Sequence, residues 1–298
     1  MPQPTPSARL SVQLARWYRH NARDLPWRRP AFHETYGAWG VLVSEFMLQQ
    51  TPVNRVIPYL EAWLARWPDP PTMADASPAD VVRQWANLGY PRRALWLHRA
   101  AVEITRVHDG HVPRDVDSLL SLPGIGDYTA RAVAAFAHGD RHPVVDTNTR
   151  RVLARAIEGR AQPRATSRRD LKLMESLLPS SAAESAVFNA AMMELGATVC
   201  TARAPRCARC PLRSDCAWLA AGMPDTGDVR RRQAAYEGSD RQARGAVLRT
   251  LRDAAGEPVA MADVIADWPD QLQRDRAIDS LVADGLAEAS EHGLSLPR

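Results

Sequence analysis

Twelve prolines fall between residues 26 and 143, so closely spaced that no long helix or strand can run through that half of the chain. Proline fixes φ and lacks the N–H that an interior hydrogen bond needs, so each marks a boundary or a first helical turn. The stretches between them, such as 41–50, 78–87 and 92–107, carry helical periodicity, as do Leu10, Leu14, Trp17 and Tyr18 ahead of them. No long alternating strand pattern occurs before residue 225. The expected fold is all-α, with a body of about ten short helices. A length of 298 residues suggests two domains. With 45% apolar residues and a mean hydropathy of -0.34, the chain can bury a core. It has no apolar run long enough to span a membrane, and the leader MPQPTPSARL lacks a signal-like apolar stretch. The expectation is a monomer of the cytoplasm with no membrane partner.

All four cysteines, Cys200, Cys207, Cys210 and Cys216, fall in a loop spaced C-x6-C-x2-C-x5-C. A reducing compartment disfavours two disulfides, so the group reads as a metal or cluster site. Tetrahedral zinc and an iron–sulfur cube both accept four thiolates. The single C-x2-C knuckle, the wide first gap and Pro211 favour a [4Fe-4S] cluster. Residues 221–239 read as a linker with a basic run at Arg230, Arg231 and Arg232. Beyond it, helical patterns over 240–254, 261–268 and 272–282 precede two short apolar segments, Leu286 with Ala287 and Leu294 to Leu296. They predict a small winged-helix-like module over 240–298, whose recognition-type helix would carry Arg274 and Arg276. Net charge is +4, with 38 basic residues that include one lysine, Lys172. That balance leaves room for a basic face toward nucleic acid.

The sharpest segment is Leu119 to Ala130, LLSLPGIGDYTA. Two glycines around one apolar residue between two helices make a turn whose N–H groups face the start of the second helix. Partial positive charge and the absence of side chains there suit a phosphate, so the backbone of Leu122, Gly124, Ile125 and Gly126 is the candidate contact. An ordinary helical hairpin would use the same glycines. Downstream, Asp146 in VVDTNTRRV follows an apolar pair and opens another helix, where it could also be only an N-cap.

Together LPGIGDYTA, VVDTNTRRV and the cysteine loop resemble the helix–hairpin–helix DNA glycosylases of the endonuclease III superfamily, over about residues 8 to 220. Within it, VSEFMLQQT around Glu45, DLPWR at Asp24 to Arg28, NLGY at Asn87 to Tyr90 and MMELGA at Met192 to Ala197 resemble the adenine glycosylases of the MutY kind. The resemblance implies two helical lobes with a [4Fe-4S] loop at 200–216, a glycosylase domain over 1–220, and duplex DNA carrying A:8-oxoG or A:G mispairs as partner. Excision of a purine needs a proton for the departing base and stabilisation of an oxocarbenium-like sugar. Glu45 lies in the apolar run VLVSEFML, where burial would keep it protonated as general acid. Asp146, at a helix N-terminus, would stay an anion and stabilise C1′.

The resemblance further places Asn148 beside Asp146, and Tyr128 in the position where bifunctional relatives carry a lysine nucleophile. It assigns Arg23 and Trp27 to the adenine pocket, although Trp27 would serve equally in a core. Leu88 and Tyr90 resemble the wedge that fills the duplex when a base is flipped, and Gln50 and Thr51 resemble contacts to the opposite base. Two features depart from the family. Ala190 stands where Glu or Gln usually touches adenine, and the C-terminal 60 residues do not resemble the β-rich Nudix-like domain of longer members. With no amine in the lysine position, the expected enzyme is monofunctional and nucleoid-associated, handing an abasic site to a separate endonuclease. The alternatives are a mismatch thymine or uracil glycosylase and a non-catalytic DNA-binding iron–sulfur protein.

Overall fold

The computed structural model describes residues 6–164, 168–225 and 235–298. The N-terminal amine, Pro2 and the run Arg230 to Arg232 lie outside the described residues. In chain order the elements are α1 (Pro6–Asn21), α2 (Pro30–Leu48), α3 (Val53–Arg66), α4 (Pro70–Ala74), α5 (Pro78–Trp85), α6 (Arg92–Val107), α7 (Val116–Ser121) and α8 (Asp127–Phe136). They continue with α9 (Thr147–Val152), α10 (Arg168–Leu177), α11 (Ala182–Thr198), α12 (Ala217–Ala220), α13 (Asp240–Asp253) and α14 (Gln271–Ala283). A two-stranded antiparallel hairpin, β1 (Glu288–Ser290) and β2 (Gly293–Ser295), ends the chain. The mostly helical class expected from the proline spacing is observed. Pro30, Pro70 and Pro78 each open a helix, where the missing N–H has no partner to lose. Asp69, Ser77, Asp146 and Ser181 cap the helices that follow them with side-chain acceptors.

The chain forms two compact units. The first comprises Met1–Val41, Arg114–Leu120 and Ile125–Arg230. In it α1, α10 and α11 bury Leu14, Met174, Phe188, Met192 and Leu195 against the end of α9. Helix α9 runs straight into a π turn, Leu153–Ile157, closed by Glu158 N–H donating to Leu153 O at 3.1 Å. The second comprises Leu42–Pro113, Ser121–Gly124 and Arg231–Arg298. There Val82 of α5 and Leu95 of α6 share one core with Val247, Leu251, Ile278, Leu281 and Leu294, so residues 240–298 pack on α5 and α6.

Three expectations are corrected here. Pro58 lies inside α3, past its first turn, and marks no boundary. Residues 261–267 are a succession of turns and not a helix. The backbone N–H groups of Asp263 and Trp268 donate to residues three back, Ala260 and Ile265, and Ile265 sits at φ 44°. Arg274 is no exposed reading residue. Its Nε donates to Val264 O at 2.8 Å and its Nη2 to Met261 O, which staples that irregular segment to α14. Arg276 is exposed, beside Asp240. Among the described residues no helix is long and apolar enough to cross a membrane.

Candidate active site and cysteine cavity

In the first unit, Asp146 is the N-cap of α9. Its Oδ1 accepts from Thr149 N–H at 2.6 Å, and its Oδ2 accepts from Asn148 Nδ2 at 2.8 Å. Both oxygens are therefore held in place by N–H donors. Asn148 is aimed in turn by Arg151, whose Nη2 donates to Asn148 Oδ1 at 2.8 Å and to Gly196 O at 2.6 Å, while its Nε donates to Cys200 O at 2.6 Å. Gly196 permits this packing, because a Cβ there would lie 2.7 Å from both the Cβ and the carbonyl oxygen of Asn148. Tyr128, in the first turn of α8, packs against Ala132, Ala135 and Val144.

Glu194 is fully buried and accepts from Arg23 Nε at 2.7 Å and Arg28 Nη2 at 2.8 Å. Burial opposes its ionisation, but the hydrogen bonds from Arg23 and Arg28 outweigh it and hold its carboxyl below the usual range. Arg23 is thus engaged in an ion pair as well as partly exposed, and Trp27 is half-buried on the turn Pro26–Arg28.

The four cysteines line one cavity, with Val152, Leu195, Leu212 and Trp218 as its apolar wall. Among the described residues no three His, Cys, Asp or Glu side chains converge on a single-ion site. Burial pushes the Cys210 thiol up to about 11 and raises that of Cys200. Arg155 supports the loop. Its Nη1 lies 3.6 Å from Cys200 Sγ and donates to Thr201 O at 2.7 Å, its Nη2 donates to Ala202 O at 3.2 Å, and its Nε to Ala161 O at 3.0 Å. A donor set of four thiols, an apolar wall and one buried cation fits an anionic thiolate-bound cluster.

In the second unit, Glu45 is 5% exposed, within a stretch of α2 where Leu42, Val43, Phe46 and Met47 are wholly buried. Arg93 is the keystone of this region and escaped sequence reasoning. It is buried, and Nη1 donates to Phe46 O at 2.8 Å, Met47 O at 3.1 Å and Gln49 O at 2.5 Å. Its Nη2 donates to Thr51 Oγ1 at 2.9 Å and to Gly89 O at 3.0 Å. Burial lowers this guanidinium to about 10, which still leaves it a cation at neutral pH. Thr51 is accordingly buried, whereas Gln50 is exposed at φ 56°. Of the two wedge candidates, Leu88 is buried and Tyr90 is about half exposed, also with a positive φ of 50°.

Between α7 and α8 the turn buries Leu122 and Ile125 and exposes Gly124 and Gly126. Gly124 has φ 77°, and a Cβ on it would come within 2.7 Å of Trp96, so glycine is required there. A Cβ on Gly126, the N-cap of α8, would meet nothing within 4 Å. The open space before its N–H is what close approach by an anion needs.

Residues 43–176 match the model of the HhH-GPD superfamily of base excision DNA repair proteins. An adenine DNA glycosylase of Mycolicibacterium smegmatis is 56% identical over 283 residues, spanning 95% of this chain and 94% of that protein. One from Mycobacterium tuberculosis is 50% identical over 300 residues, spanning 98% and 96%. The human adenine DNA glycosylase is 43% identical over 209 residues, 68% of this chain and 38% of that protein. Among solved structures, a thermostable thymine-DNA glycosylase superposes with a TM-score of 0.63 at 24% identity, covering 71% of this chain and 95% of that one. An endonuclease III trapped on DNA gives 0.59 at 20%, covering 75% and 100%. At these identities the structures speak to the fold.

Proposed function

Since this chain belongs to the adenine DNA glycosylases of the HhH-GPD superfamily, we propose that it hydrolyses the glycosidic bond of adenine mispaired with 8-oxoguanine or guanine in duplex DNA. The observation that carries the mechanism is the oriented carboxylate of Asp146, held by Thr149 N–H and by Asn148. Glu45, buried in its apolar stretch, donates a proton to the adenine as the bond to C1′ breaks. Asp146 stabilises the positive charge that develops on the sugar, and water then adds to C1′. Tyr128 occupies the position where an amine would be needed for strand cleavage, and a phenol forms no imine. The product is an intact abasic site, passed on to a separate endonuclease.

The N–H groups of Gly124, Ile125 and Gly126 receive a backbone phosphate, and Tyr90 fills the space left by the flipped base. Gln50 and Thr51 face the opposite base, and Arg23 and Trp27 border the adenine. Cys200, Cys207, Cys210 and Cys216 hold a [4Fe-4S] cluster, whose ligation ties down a loop with almost no core of its own. The exposed Arg203, Arg206, Arg209 and Arg213 turn that loop into a phosphate contact on DNA in the cytoplasm. Single-turnover excision on A:8-oxoG, A:G, T:G and U:G duplexes tests the assignment. Activity is expected on the first two alone, and Glu45→Gln should lower it by at least about a thousandfold while duplex affinity stays within a few-fold. Excision of thymine or uracil at a comparable rate would replace this reading, and efficient borohydride trapping would refute the monofunctional product.

A further inference from the structure

The loop 86–90 joins α5 to α6 in a conformation that side chains avoid. Ala86 has φ 47° and ψ −121°, Gly89 has φ 96° and Tyr90 has φ 50°. Such backbone persists only where its surroundings hold it. Trp85 Nε1 and Arg93 Nη2 both donate to Gly89 O, at 2.9 and 3.0 Å, and Arg55 donates to Asn87 O. The remaining brace comes from the far end of the sequence. In the last turn of α13, Arg252 is half-buried, and its Nη1 donates to Ala86 O and its Nη2 to Asn87 Oδ1, each at 2.9 Å.

The C-terminal segment is anchored on both sides of the loop. Val82 on α5 and Leu95 on α6 lie in its core, and Arg92 at the start of α6 pairs with Asp284 at 3.3 Å. Its charge argues against a phosphate-binding role. Residues 240–298 hold seven basic and eleven acidic side chains, a net of −4, which leaves the rest of the chain at +8. Arg274, which a DNA-reading helix would expose, is spent inside the segment.

From this geometry we infer that Arg252 is a positioning residue for base excision: it holds the 86–90 loop so that Tyr90 is presented to the duplex. The inference rests on the reading of Tyr90 as the inserted side chain. The C-terminal segment thereby serves catalysis through the loop it braces, without touching DNA.

The test uses the full-length chain and an A:8-oxoG duplex, with single-turnover excision at saturating enzyme, duplex Kd, and 2-aminopurine fluorescence at the target position as a report of flipping. Arg252→Met removes both donors and keeps the stem. It should slow excision about tenfold and reduce the flipping signal, with Kd within about twofold of the parent. Arg252→Lys, with one donor retained, should recover part of the rate. Asn87→Ala removes an acceptor from the loop side and leaves the C-terminal segment intact, so it should show a loss in the same direction even if Arg252→Met folds poorly. Combining Arg252→Met with Tyr90→Ala should be no slower than Tyr90→Ala alone, because both act through one side chain. Parental excision rates in Arg252→Met and Asn87→Ala, or losses that add in full to that of Tyr90→Ala, would overturn the inference. Tyr90→Ala with a parental rate would instead overturn the underlying reading of Tyr90.

Discussion

The cysteine loop and the C-terminal segment are both appended to helical units, and different physics holds each. Across residues 200–216 only Leu212 is buried. The loop is kept by main-chain acceptors for Arg151 and Arg155 and by four sulfurs facing one cavity. Residues 240–298 bury Val247, Leu248, Leu251, Ile278, Leu281 and Leu294 and extend that core to Val82 and Leu95. One attachment depends on a few directed bonds, the other on apolar area. The loop also exposes arginines while the segment is net acidic, so the charge of the loop suits phosphate and that of the segment does not.

That contrast breaks most visibly at the sulfurs. Cys207→Ser or Cys210→Ser should abolish absorbance near about 400 nm and leave mostly insoluble protein, because ligation supplies what the missing core cannot. Soluble, active protein without iron would place the loop in the same class as the segment. Next in size, Leu281→Ala, at a fully buried position, should cost about 2–5 kcal/mol in denaturant unfolding. Iron content should be unchanged, and its loss would join the two attachments. Arg155→Met leaves the buried carbonyl of Ala161 without its donor and frees those of Thr201 and Ala202, and should destabilise the loop by about 1–3 kcal/mol. Iron retention during chelation measures it, with no change expected in melting of the C-terminal segment. The smallest effect belongs to Asp284→Asn. Its pairs with Arg92 and Arg244 are partly solvated, so the unfolding free energy should fall by no more than about 1 kcal/mol. A larger loss would show that charge, and not area, secures the segment.

Much of this was legible in the chain. Proline spacing sets many of the helix boundaries, though not at Pro58, which lies inside α3, and the position of Asp146 after an apolar pair gives its role as N-cap. The burial of Glu45 follows from the residues around it. The arginines were not legible. Arg93, Arg151 and Arg155 are buried carbonyl staples, yet in sequence they look like the exposed Arg203 and Arg206, because where a guanidinium ends is decided by tertiary packing. Leu88 belongs with them, since an apolar residue next to a glycine suits a wedge and a core equally, and here it is buried. The segment 261–268 misled through its apolar spacing. Its local pattern is helical, but positive φ at Ile265 and the staple from Arg274 favour consecutive turns.

The π turn Leu153–Ile157 has a consequence at the level of the gene. Its i→i+5 closure holds one residue more than an α turn, so the helix carries what amounts to a one-codon insertion within Leu153–Ile157. Removing that codon, for instance by deleting Ala154, would restore α geometry and swing Arg155 by about 100° around the axis. Its guanidinium would leave Thr201 and Ala202, while Arg151, upstream of the deletion, would keep Asn148. An in-frame deletion of three nucleotides would thus uncouple support of the cysteine loop from orientation of the carboxylate.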